Sequence, residues 1–105
     1  MSNMKLTRAL LKVQYALNHH AKPLRPVVDA LLYALSASGY AVRWDSVRGG
    51  NNSWYFDVDT GQGVRRFHVR FRKHPWRLDV KRTPLSQAFA SLTNERDVAR
   101  FVGSL

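Results

Sequence analysis

The chain has 105 residues, enough for one domain with its own core, and 45% of them are hydrophobic. It contains no cysteine, which excludes disulfides, a thiolate nucleophile and cysteine-ligated zinc. Its 17 Lys and Arg residues against 7 Asp and Glu give a net charge of +10, so we expect an anionic partner. No apolar run reaches the roughly 20 residues of a membrane span, and the first residues do not resemble a signal peptide, so a cytoplasmic protein with no membrane partner is expected.

Two helices are predicted before the first strand. Apolar residues recur at helical spacing from about Met4 to Asn18, and basic residues form a second stripe on another side of this helix. After a proline-containing break, Pro26 suits the first position of a second helix, and Gly39 suits its C-terminal cap. The residues between them are apolar on almost every side, so we expect this helix to be buried against a sheet.

Four strands follow, each with alternating apolar and polar residues. Short turns join them, which favours an antiparallel meander. The residues predicted on the inner face are Tyr40, Val42 and Trp44, then Trp54, Phe56 and Val58, then Phe67, Val69 and Phe71, and finally Leu78 and Val80.

The segment after the fourth strand is predicted to form two short helices. Thr83-Pro84 is typical of a helix start, and Leu85, Phe89 and Leu92 lie on one helical face. The apolar residues after Thr93 lie on a different face, so a second helix is expected there. The predicted fold class is α+β, in the order ααββββαα. Helices cover one face of the sheet, within a single domain of residues 1–105.

The alternation also predicts the register of the strands, because a slip by one residue would set core side chains opposite solvent-facing ones. Phe56 is expected opposite Phe67, and Phe71 opposite Leu78. The outer-face pairs that follow are Asp57 with Arg66, Tyr55 with His68, Arg70 with Asp79, and His68 with Lys81. Asp57 and Asp79 would each neutralise an arginine. Unpaired positive charge would collect around Arg72, Lys73 and Arg77, at the turn between strands three and four, and at the rims near Arg65 and Arg82.

The distribution of basic residues favours nucleic-acid binding. Twelve of the 17 cations are arginine, whose guanidinium group suits phosphate, and residues 65–82 hold eight cations and one acid. We predict that the outer face and rim of strands three and four grip the phosphate backbone of duplex DNA or structured RNA, because few aromatic residues lie there to stack on single-stranded bases. The predicted contact residues are Arg65, Arg66, Arg70, Arg72, Lys73, Arg77, Lys81 and Arg82.

Other functions fit the same face. An acidic protein surface would be attracted by the same charge, which would make the chain an interaction or inhibitor protein. The row Tyr55, His68 and Lys81 could cleave RNA without a metal, with the imidazole as acid or base and the cations stabilising the developing charge. An enzyme is the less favoured interpretation. No metal or cofactor site is predicted, and a homodimer through the first helix or a free sheet edge is compatible with the sequence.

Overall fold

The structure is a computed structural model that describes residues 7–48 and 50–105. Within them, three α-helices and one five-stranded sheet form an α+β fold, which confirms the predicted class. None of these helices is long and apolar enough to cross a membrane. In chain order the elements are α1 (Arg8–His19), a 3₁₀ turn (Lys22–Leu24), α2 (Arg25–Ala37), β1 (Ala41–Ser46), β2 (Ser53–Asp59), β3 (Val64–Arg72), β4 (Arg77–Lys81), β5 (Ala90–Leu92) and α3 (Glu95–Gly103).

The sheet is an antiparallel meander in which each strand pairs with the next one along the chain. Phe56 lies opposite Phe67 and Phe71 lies opposite Leu78, so the predicted register is confirmed. The four predicted outer-face pairs are confirmed with it. Alternation excludes every odd shift of this register, because such a shift would expose the aromatic residues of the inner face, and the short turns select among the even shifts.

The core lies between the inner face of the sheet and the three helices. Trp54, Phe56 and Leu78 of the sheet are buried together with Leu17 of α1 and Leu31 of α2. From α3, the ring of Phe101 lies 5.4 Å from that of Phe67. Each such side chain contributes about 1.5–3 kcal/mol through removal of its apolar surface from water.

The first two helices are delimited by capping interactions. Thr7 accepts a hydrogen bond from the backbone N–H of Leu10 at 3.1 Å, and α1 begins immediately after it. The predicted start at Met4 lies outside the described residues. Gly39 follows the end of α2 with a φ of 78°, and its N–H donates to Ser36 while that of Tyr40 donates to Leu35. This arrangement is a Schellman motif, which confirms the predicted C-terminal cap.

The predicted helix starting at Thr83-Pro84 is wrong, and the order ααββββαα is corrected by it. Thr83 and Ser86 bond each other in a local turn, Leu85 is 99% exposed, and the chain then forms β5. The helical spacing of the apolar residues was misleading because only Leu92 of that group is fully buried. β4 offers a free edge, and pairing with it satisfies backbone groups that a surface helix would leave to water. The described residues therefore contain five strands and one C-terminal helix.

Candidate functional site

The eight basic residues predicted as contacts occupy different surroundings on the sheet. The outer face is the one turned away from the helices, and β3 runs along its middle. Arg66, Arg70 and Arg72 project from β3 on this face, and Arg77 and Lys81 project from β4. Some of these basic side chains are bound to neighbouring carboxylates, and the others are available to a ligand.

Arg66 is held by two carboxylates. Its Nε donates to Asp57 at 2.7 Å and its Nη2 donates to Asp45 at 3.0 Å, while its guanidinium lies 4.5 Å from the centre of the Tyr55 ring. The hydrogen bonds that Arg66 donates to Asp57 and Asp45 raise its pKa above the ordinary value. The predicted neutralisation of Arg66 is therefore confirmed. Two carboxylates compensate its charge, so Arg66 attracts a phosphate only weakly.

Asp79 neutralises a different arginine from the one expected. It lies opposite Arg70, but its Oδ1 accepts from Arg77 at 3.1 Å and from the hydroxyl of Ser91 at 2.8 Å. Arg77 also donates to the backbone carbonyls of Lys73 and Pro75, which aims its guanidinium at Asp79. Sequence reasoning treated Arg77 as unpaired and lacked β5, which supplies Ser91.

As a result, Arg70 has no carboxylate within 4.0 Å among residues 7–48 and 50–105. Arg72 lies at the limit of an ion pair, with its Nε 4.0 Å from Asp79. These two arginines and Lys73 follow one another at the end of β3. Unpaired charge thus lies at this end of the hairpin, with Arg70 added to the predicted residues and Arg77 removed. Lys81, Arg65 and Arg82 also have no carboxylate within 4.0 Å in the described residues.

This end of β3 borders a depression of about 260 Å³, which we call the basic notch. β2 begins at Ser53, opposite Arg70, so β3 continues past the start of its neighbour, and residues that follow α1 line the same depression. The notch is lined by His20, Ala21, Asn52, Arg70, Phe71, Arg72, Lys73 and Trp76. None of these lining residues is acidic.

Five residues of the basic notch were not predicted as site residues, and besides Ala21 and Phe71 they are His20, Asn52 and Trp76. His20 lies just beyond α1, Asn52 lies just before β2, and Trp76 lies at the turn before β4. They meet only because the chain folds α1 under the end of the sheet. No local pattern in the sequence signals this meeting. The high density of basic residues in the sequence is the signal that predicted Arg70, Arg72 and Lys73.

The predicted catalytic row is assembled at the centre of the outer face. Tyr55, His68 and Lys81 are direct neighbours on three strands, and the rings of Tyr55 and His68 lie 5.9 Å apart. His68 is only 5% exposed, and its Nδ1 is buried with no hydrogen-bond partner in the described residues. Burial lowers the pKa of His68, and the charges of Lys81 and Arg70 lower it further. The imidazole is neutral at pH 7 but offers a substrate little access.

Arg65 and Arg82 lie at the other end of the strands and on the helix side of the sheet. Arg65 lies 5.3 Å from the centre of the Phe67 ring, and Arg82 lies 5.8 Å from that of Phe89. Both cover aromatic edges of the core, an arrangement worth roughly 0.5–1 kcal/mol at exposed sites. The structure therefore does not bring these two residues together with the basic notch.

The chain matches no protein-family model, no curated protein and no solved structure. Among the described residues, no group of three His, Asp or Glu side chains is placed to hold a metal ion. The candidate site is defined by its own geometry as a concave, carboxylate-free cluster of cations.

Proposed function

We propose that this protein binds nucleic acid by placing backbone phosphates in the basic notch. The observation that carries the proposal is the convergence of Arg70, Arg72 and Lys73 on one depression that no acid lines. Two guanidinium groups and an ammonium provide many donors for phosphate oxygens, and phosphate contacts supply most of the affinity of such proteins.

The proposal narrows the predicted contact set. Arg70, Arg72 and Lys73 are the primary contacts, and Lys81 lies farther along the outer face as a secondary one. Arg66 and Arg77 serve the fold, because carboxylates already occupy their guanidinium groups. Arg65 and Arg82 lie too far along the strands to share the same phosphate.

A matched pair of charge variants tests the proposal. Arg70→Gln removes one contact, and we expect affinity for a labelled oligonucleotide to fall about tenfold, the effect of losing one charge-assisted bond. Arg96→Gln removes the same charge from α3, where Arg96 is exposed and forms no ion pair in the described residues. It should leave affinity nearly unchanged, and fluorescence anisotropy at fixed salt measures both.

The same variants and binding assays also test the two other functions, binding of an acidic protein and cleavage of RNA. If neither RNA nor DNA binds, and a protein from a nuclease-treated lysate is retained by the wild type but not by Arg70→Gln, the cations serve an acidic protein partner instead. If RNA is cut without metal and His68→Ala abolishes the cutting, the catalytic row is the functional centre. An equal loss of affinity in both charge variants would show that net charge alone drives binding, which would contradict the proposal.

A further inference from the structure

We infer that the nucleic acid held at the basic notch is single-stranded, with its bases stacked on aromatic rings that α1 and Trp76 place beside the cations. The inference rests on the proposed function and specifies its ligand. It departs from the expectation of a duplex, which depended on the scarcity of aromatic residues on the outer face. In the structure, further aromatic rings lie beside the cations at the end of α1, outside the outer face of the sheet.

Four aromatic groups form a row, two of them in the basic notch and two on the last turns of α1. Trp76 and His20 both line the basic notch. The ring of His20 lies 6.2 Å from that of Tyr15, and Tyr15 lies 4.2 Å from His19. The row therefore begins inside the notch at Trp76 and continues outward along the last turns of α1.

This row is accessible to a ligand, unlike the six aromatic residues that are buried in the core. Trp44 and Trp54 are buried in the core, whereas Trp76 is only partly buried. Tyr15 is 60% exposed, although its ring is one of the largest apolar surfaces on α1. An exposed aromatic ring next to a cationic depression is the combination by which proteins hold unpaired nucleotides.

Geometry favours a single strand over a duplex here. In a duplex the bases are already stacked on each other inside the helix, so their faces cannot reach a protein ring. The notch is also concave, with the cations and Trp76 on the sheet side and His20 on the α1 side. A single strand can turn its phosphates toward Arg70, Arg72 and Lys73 while its bases lie over His20 and Tyr15.

Charge along α1 is consistent with the same path. Lys12 precedes Tyr15 by three residues and is exposed, so it lies on the same side of the helix. Arg8 lies one turn farther and is also exposed. A strand that leaves the notch along Tyr15 would therefore continue to meet cations. Stacking and phosphate contacts are common to DNA and RNA, so the ligand class is single-stranded nucleic acid of either sugar.

The test compares one oligonucleotide, single-stranded and as its own duplex, against two matched tyrosine variants. We expect the wild type to bind a twelve-nucleotide single strand about tenfold more tightly than the duplex. Tyr15→Leu should weaken single-strand binding roughly fivefold to a hundredfold, the range for loss of one stacked base. Tyr33→Leu is the control, because Tyr33 is a 78% exposed tyrosine on α2 that lines a different groove.

Tryptophan emission gives a second readout that needs no substitution in the core. Because Trp44 and Trp54 are buried, a ligand in the notch should quench mainly Trp76, and the single strand should quench it more than the duplex does. Equal or tighter duplex binding, with no effect of Tyr15→Leu, would overturn this inference and leave the proposed function standing. Absence of binding by both forms would overturn the two together.

Discussion

The single buried histidine of the outer face illustrates how a local environment sets stability. Burial first, and then Lys81 and Arg70, lower the pKa of His68 below its ordinary value of 6.5. The unfolded chain therefore takes up a proton at a higher pH than the folded chain does. The stabilising effect of a neutral His68 is complete above about pH 6.5 and is lost as the pH falls through the folded pKa.

Replacing His68 with phenylalanine should remove this pH dependence. We expect the free energy of unfolding of wild type to fall between pH 7 and pH 5 by up to about 1.4 kcal/mol per pH unit, and that of His68→Phe to stay nearly level. At pH 7 the variant should be at least as stable, since the ring replaces a nitrogen that has no partner. Urea unfolding followed by tryptophan fluorescence measures this, and an unchanged slope in the variant would contradict the assignment.

Sequence reasoning located charges along the chain better than it located their partners. Cross-strand register predicted correctly that Asp57 neutralises Arg66 and that Asp79 lies opposite Arg70. It could not predict that Asp79 would bond to Arg77, because that bond depends on turn carbonyls that orient the guanidinium. The strand register determines which residues are backbone neighbours. A long arginine side chain can still bond to any of several acceptors within its reach.

At the scale of elements, α3 depends on a polar cap rather than on helix propensity. Asn94 accepts a hydrogen bond from the backbone N–H of Asp97 at 2.9 Å, and Asp97 in turn accepts from the backbone and hydroxyl of Thr93. The hydrogen bonds from Thr93 lower the pKa of Asp97 below its ordinary value. Nine residues form too short a helix to be stable alone, so its cap and its packing on Phe67 must act together.

The cap gives a direct prediction. Asn94→Ala should lower the free energy of unfolding by about 1 kcal/mol, the usual effect of losing a side-chain cap. Asn51→Ala is a suitable control, since Asn51 is an exposed loop residue with no side-chain hydrogen bond to the described residues. Thermal unfolding of the two variants and the wild type measures the loss of stability, which should appear as a lower melting temperature in Asn94→Ala alone. Equal melting temperatures in all three would mean that packing alone determines where α3 begins.

Element length explains which parts of the fold the sequence could predict. β2 and β3 have seven and nine residues, long enough for an alternating pattern to be recognised and for register to follow. β5 has three residues, and its Leu92 also fits a helical spacing with Leu85 and Phe89, which precede the strand. Its strand conformation is imposed by the edge of β4, which is a tertiary cause that no local pattern records.

At the scale of the whole molecule, the acidic residues neutralise some of the cations of the sheet and leave others unpaired. Asp45, Asp57 and Asp79 lie on the sheet and each binds an arginine of the outer face. Toward the end of β3, Arg70 and Lys73 have no carboxylate partner in the described residues, because Asp79 bonds to Arg77. The acids thus neutralise the middle of the outer face and leave a cluster of cations at this corner, next to the aromatic rings of α1.

The salt dependence of oligonucleotide binding tests this account most directly. Three phosphate contacts to Arg70, Arg72 and Lys73 predict that the logarithm of the association constant falls with the logarithm of salt concentration with a slope of about −2 for a single strand. Arg70→Gln should reduce that slope by about 0.7, and Arg96→Gln should leave it unchanged. An affinity that ignores salt, or equal slopes in both variants, would contradict the claim that the basic notch holds the phosphates.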